Sequence, residues 1–465
     1  MHSSRTRLPV LYTGVTMEMS GVAFASMLQR YKARIPHFLP YLFLMIMSLT
    51  ATSIHMVEYR TFSPIDELRH LDYAIRVSHG ELPKLGDKLT QEAMKEEACR
   101  GIDLTGWADP PCDSPRFRPV DFRDDGWQTA TPHPPTYYAI AGISARVLRK
   151  LSITGSLVDG ARLISGLFLA AGLMMTFFAG RLLGARTVPL MATLTLVPIL
   201  QSVLHSSSIV TPDSVSILAG ASLIAAVTLW KRNVIALKWL CIVAACVGFT
   251  KITNILISTV VGLVVLFWSL REKGDRPTRY KYLLAGVCVP IASIVAAFSW
   301  LTFDRLRATI DPSIVPQNIQ LRYEGIPPLS HLLQPSVLLN WLPPIESYDL
   351  LKFTNFEVLS FRGLTINLLL GGILISALRF HRDNTISLFA GFTVLVALFA
   401  SPMFVAATAA TSSVLVNPAG RYGLSLLPVF VIAVASAVKG RVGTAALVVF
   451  SGIVYFIGIG AMITA

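Results

Sequence analysis

Asp66 and Glu67 stand side by side in the run Ser63-Pro64-Ile65-Asp66-Glu67-Leu68-Arg69-His70, just beyond the first long apolar segment of the chain. Two neighbouring carboxylates with His70 one helical turn further on could take a proton from a sugar hydroxyl, provided one of them has a suitable pKa. The same spacing also makes an ordinary helix start, with Pro64 early and acids in the first turn. The two readings are compatible, because a carboxylate fixed at a helix N-terminus is well oriented. A second candidate segment is Pro132-His133-Pro134-Pro135-Thr136-Tyr137-Tyr138. Its prolines stiffen the chain and its tyrosines suit a membrane interface, so it reads either as an aromatic anchor or as a place where His133 and Tyr137 meet a phosphate or hydroxyl. Thr211-Pro212-Asp213-Ser214 offers a third acid, again at a plausible helix cap. Lys251 and Arg421-Tyr422 complete the set; an arginine at this depth is functional by default and holds phosphate in a bidentate way that lysine does not.

The elements that must position these groups are membrane helices. Only 14% of the 465 residues are charged, and the mean hydropathy is +0.59, which excludes an ordinary soluble protein. A net charge of +13 could suggest nucleic acid, but in such a chain it is expected to come from basic cytoplasmic loops, so no nucleic-acid partner is expected. Mixed residues including Arg5, Arg7, Arg30, Lys32 and Arg34 precede the first apolar run, so a cleavable signal peptide is not expected. Segments long enough to span fall at 38–56, 161–180, 187–207, 214–230, 234–252, 254–270, 281–302, 362–379, 385–406, 424–438 and 443–464.

Segment 134–151 is ambiguous, and charge decides it. If it does not cross and the N-terminus is cytoplasmic, the short inner loops hold Arg181, Arg186, Lys231, Arg232, Arg271, Lys273, Arg276, Arg279, Lys281, Arg379, Arg382, Lys439 and Arg441, and the short outer connections hold only Lys251 and Arg421. Counting it as a crossing would turn all of the former outward, against the positive-inside rule. The expectation is therefore an all-α polytopic protein of about 11 spans, with 134–151 as an interfacial helix. A cytoplasmic segment 1–37 precedes a transmembrane domain 38–465. Its first outer loop, 57–160, its second, 303–361, the turn 206–214 and the Asn417–Tyr422 segment all face the extracytoplasmic side.

Taken in order, the acidic pair after the first helix, the HPPxYY segment, the PD turn and the late GRY segment resemble the GT-C superfamily of membrane glycosyltransferases. Within it the pattern is most similar to an uncharacterised bacterial family of membrane proteins, over about residues 38–440. The resemblance implies an inverting transfer of sugar from a polyprenyl-phosphate carrier to a lipid or cell-envelope glycan acceptor, at the outer face of a bacterial plasma membrane. Carried over, Asp66 matches the general base, and Glu67 a neighbour that orients the acceptor or holds a metal. Asp213 matches the second outer-loop acid, and Arg421 would hold the carrier phosphate. There is no WWD signature in the C-terminal half and no DxD in the second loop, so no obligatory metal is expected, although a divalent cation is compatible.

Cys99 and Cys112 share the first outer loop, where an oxidising compartment permits a bridge between them; two free thiols are the alternative. Asp103, Asp109, Asp113, Asp121, Asp124 and Asp125 among Arg116, Arg118 and Arg123 read as a solvated surface with local ion pairs, or else as a glycan platform with Trp107 and Trp127. Trp341, Pro343, Pro344, Glu346 and Asp349 suggest a partial lid. A transporter or lipid-linked glycan flippase is the rival class. It is disfavoured because no pair of Gly/Pro-broken spans suggests inverted repeats and charge within the spans is scarce.

Overall fold

A computed structural model describes residues 38–102, 104, 106–272, 276–310, 321–323, 325–344, 356–379, 384–412, 414–415 and 418–464. The chain divides into a unit of residues 1–42, described only from 38, and a unit of residues 43–465. The helices are α1 (Phe38–Glu58), α2 (Glu67–Ser78), α3 (Gln91–Arg100), α4 (Thr136–Lys150), α5 (Leu157–Leu182), α6 (Thr187–Leu196), α7 (Gln201–Ser208), α8 (Ser216–Lys231), α9 (Leu237–Thr250), α10 (Ile255–Arg271), α11 (Arg276–Arg307), α12 (Phe356–Leu378), α13 (Thr385–Ser412), α14 (Leu427–Ala437) and α15 (Gly440–Thr464). Apart from a two-residue antiparallel pair, Leu321–Arg322 with Val414–Leu415, the described residues form no sheet. The protein is an all-α polytopic membrane protein.

Among the described residues eight helices are long and apolar enough to cross a bilayer, or nine when α6 and α7 are taken as one bent span. Two shorter apolar helices, Leu237–Thr250 and Gly363–Leu378, accompany them. Together these coincide one for one with the eleven apolar segments of the sequence. The α6–α7 pair differs from the expected single helix. It bends by 64° where a 3-10 turn containing Pro198 leads into the extended backbone of Leu200. Proline removes an amide donor and clashes with the preceding turn, which favours a break here.

Segment 134–151 contains a helix of 15 residues that ends in Arg149 and Lys150, and it is not among the apolar helices of the described residues. One face buries Tyr137, Tyr138, Ala141, Gly142 and Ala145, while Ile140, Ile143 and Val147 remain exposed. Gly142 is what lets α4 and α2 touch: a Cβ there would overlap the carbonyl oxygen of Ala74. Segment 57–160 is a packed layer around Phe62, Leu71, Tyr73, Met94, Phe122 and Tyr138, in a core shared with Ile164, Val210 and Trp300. Cys99 and Cys112 are joined by a disulfide. The acids of this loop are mixed in kind. Arg118–Asp121 is a surface pair, whereas Asp109 accepts from the Ile102 amide at 3.0 Å and the Trp107 indole at 3.1 Å. Lys88 Nζ covers a face of the Trp127 ring at 3.2 Å; Asp103 lies outside the described residues.

Three contacts bring distant elements together. Gly220 on α8 lies so close to Ser425 that a Cβ would overlap its carbonyl oxygen, which seats the Gly420–Leu426 turn on α8. Trp341 is buried and donates to the Ala419 carbonyl at 3.0 Å, while Ser202 on α7 donates to Pro344 O at 3.3 Å. The described part of segment 303–361 therefore packs against the turn that carries Arg421, and Glu346 and Asp349 lie outside the described residues.

Candidate functional site

Asp66 is the N-cap of α2, but its side chain caps nothing. Its backbone sits in the left-handed region, φ 55° and ψ 3°, which costs a non-glycine residue about 1–3 kcal/mol and persists only when the surroundings hold it there. Arg123 Nη1 donates to Pro64 O at 2.5 Å, and Ser63 Oγ accepts from the Ile65 amide at 3.2 Å, so the approach to Asp66 is clamped on both sides. The Asp66 carboxylate remains 51% exposed, with Arg69 Nη1 3.6 Å away. Arg69 is itself tied to Asp124.

Glu67 is different: where the sequence suggested a group that meets acceptor or metal, its carboxylate is taken up inside the protein. It is fully buried and its oxygens are occupied: Arg162 Nε and Nη2 donate at 2.8 and 2.7 Å, the Ser63 amide at 2.8 Å and the Val210 amide at 3.0 Å. Arg162 also donates to the Tyr59 and Thr61 carbonyls at 2.9 and 2.7 Å. The pair fastens the end of α1, the start of α2, α5 and the 210 turn together.

Tyr137 is likewise a brace. Its hydroxyl meets Ser165 Oγ at 2.8 Å and accepts from the Thr211 amide at 2.9 Å, which leaves it inside the protein rather than facing a substrate. The adjacent Tyr138 hydroxyl meets His70 Nδ1 at 2.8 Å; its ring stacks on Tyr73 at 3.9 Å, and Tyr73 donates to the His133 carbonyl at 3.0 Å. The His70 and His133 rings lie 5.4 Å apart.

The second half of the cluster comes from the chain between α7 and α14. Thr211, not Asp213, supplies the cap of the PD turn, accepting from the Asp213 amide at 3.4 Å. Asp213 is instead held between two cations, Lys251 in direct ion pair and Arg421 Nε at 3.3 Å. Lys251 occupies the extended break between α9 and α10 and is buried, 1% exposed. The Tyr422 ring lies under Lys251 Nζ at 4.7 Å and beside the Arg421 guanidinium at 5.3 Å. Asp213 thus ties Arg421 and the buried Lys251 together. Among the described residues no three His, Cys, Asp or Glu side chains converge as metal ligands.

The two halves face each other electrostatically. Burial first, then the charges of Lys251, Arg421 and Arg69, pushes His70 down to about 3. His133 is also held well below its ordinary value, by burial, then His70 and Lys251, with Asp66 opposing and Arg421 adding. Both rings are therefore neutral at physiological pH, and the His133 Nδ1 has no hydrogen-bond partner. The sign for stability follows. In the unfolded chain these rings protonate near 6.5, so the folded state loses stability as pH falls below that value toward 3. Thermal unfolding between pH 6.5 and 5 is expected to drop more steeply for the parent protein than for His70→Asn; equal slopes would show that His70 is not buried neutral.

The structure thus brings Asp66, His70, His133, Asp213, Lys251, Arg421 and Tyr422 into one region and withdraws Glu67 and Tyr137 into the frame. Sequence reasoning missed Arg162 and His205, whose Nε2 lies 2.9 Å from Ser63 Oγ. Arg162 had a legible signal, since an arginine at the edge of an apolar span needs a partner. No protein-family model matches the chain, and no curated protein matches it in sequence.

Proposed function

We propose that the protein is an inverting, GT-C-like membrane glycosyltransferase that moves a sugar from a polyprenyl-phosphate carrier to a lipid or cell-envelope glycan acceptor. In this reading all eleven apolar segments cross a bacterial plasma membrane and the cluster faces outward, as the distribution of basic residues supports. One observation carries it: an exposed carboxylate on a strained backbone, Asp66, and a cationic pair, Lys251 and Arg421, both act on the buried His133 ring. Asp66 takes the acceptor hydroxyl proton as the oxygen attacks the anomeric carbon. The bond from that carbon to the carrier phosphate breaks, and its electron pair leaves with the phosphate, whose charge Arg421 and Lys251 stabilise. His70 and His133, both neutral, orient hydroxyls without competing for the proton. The reading requires no divalent cation.

The test is purified protein with radiolabelled polyprenyl-phosphate sugars and candidate acceptors. Labelled product supports transfer; movement of intact lipid-linked sugar across liposomes without product supports the flippase reading. For that rival the described residues offer one broken span, α6–α7, where paired broken helices would be expected. Arg421→Ala is expected to weaken apparent affinity for the carrier about 10-fold or more, as loss of a charge-assisted contact does. An unchanged affinity would remove the phosphate-holding role.

A further inference from the structure

Away from this cluster, at the far end of α4, a wide-mouthed cavity of about 400 Å³ is lined by Glu92, Arg146, Arg149, Lys150 and Leu157. It lies beside an unpartnered apolar face. Ile140, Ile143, Val147 and Leu151 are each about half exposed or more, and their spacing of three and four residues puts them in a single stripe along the helix. The buried face of α4 is on the other side, against α2 and α5. Arg146 and Lys150 fall on the flank beside the stripe, while Arg149 stands about 180° from Ile140, in the basic last turn of the helix.

We propose that this corner binds the headgroup of an anionic phospholipid of the membrane the chain spans, with an acyl chain along the stripe. A half-exposed row of Ile, Val and Leu on a short amphipathic helix of a polytopic protein belongs at the lipid boundary, and basic residues flanking such a row meet headgroup phosphates. The local acids do not saturate these cations. Glu92 lies 3.8 Å from Arg146, 4.0 Å from Arg149 and 3.5 Å from His79, beyond hydrogen-bond range. Glu96 reaches Arg149 only through its charge, after Arg100. Arg146 is partly engaged, touching His79 Nε2 and the Ser78 carbonyl. Positive charge is left over, as a singly charged phosphodiester requires. The other end of α4 carries Tyr138, the partner of His70, so a headgroup held here would seat the helix that supports the cluster.

The experiment is lipid retention by the full chain in nanodiscs of phosphatidylcholine with a minority of phosphatidylglycerol, read by native mass spectrometry after transfer to detergent. The parent protein is expected to retain phosphatidylglycerol preferentially. Arg149→Gln and Lys150→Gln should each cut that preference about fivefold, and the triple variant with Arg146→Gln about 10²-fold. Arg118→Gln, at a surface pair elsewhere in the same loop, should leave it unchanged. The single variants lie at solvent-reaching positions and keep the test valid should the triple variant misfold. Equal retention by parent and single variants would overturn the proposal. So would displacement of the retained lipid by millimolar inorganic phosphate, which would mark a site for free anions.

Discussion

Asp66→Asn is expected to lower sugar transfer by about 10²–10³-fold or more, with thermal stability and carrier affinity close to those of the parent. The magnitude is that of removing one acid-base or electrostatic contributor from a preorganised site. The insensitivity of the fold rests on geometry: the carboxylate is half exposed, caps no helix and has one loose ion pair, with Arg69 at 3.6 Å. Asparagine also tolerates the left-handed backbone at this position better than most residues do. Normal turnover by Asp66→Asn would sink the assignment of the base. Loss of transfer together with a collapsed melting temperature would instead reduce Asp66 to a structural residue.

Glu67→Gln, one residue away, is expected to do the opposite. It should destabilise the protein by about 3–5 kcal/mol, because it removes one half of a buried ion pair and leaves Arg162 charged and uncompensated. The same loss is expected from Arg162→Ala, and the double variant should recover part of it, since the unpaired charge then disappears. Thermal unfolding in detergent, with recovery of folded protein as a second readout, checks this. If Glu67→Gln melts like the parent, the four-donor arrangement around its carboxylate does not hold the fold. If it melts like the parent but loses transfer, the base has been placed on the wrong neighbour. The two adjacent acids thus make opposite predictions from environment alone.

Much of the frame was legible along the chain. The eleven apolar segments read from the chain coincide with apolar helices of the structure, and the expectation that 134–151 does not cross rests on the basic residues of the short loops. Legibility failed at the α6–α7 break, where hydropathy runs on through a backbone that Pro198 interrupts. It failed again wherever a polar residue had two possible duties. Asp66 and Asp213 both looked like helix caps; in the structure Asp66 caps nothing and Thr211 caps in place of Asp213. Tyr137 and Tyr138 are neighbours in one aromatic run, yet a helix turns successive side chains by about 100°, sending one hydroxyl to Ser165 and the other to His70.

The sequence by itself determined that this is an all-α membrane protein with its polar mass in two long loops, and it supplied the short set of residues able to do chemistry. Those properties are local: hydropathy over a span, charge over a loop, residue type at a turn. Only the tertiary structure decided which members of the set are free to react. Glu67 is consumed by Arg162, 95 positions away, and by the Val210 amide, 143 positions away, while Asp66 meets no such partner and keeps its carboxylate open. A buried charge must be compensated wherever the fold places its counter-charge, and no local pattern records which distant residue that will be.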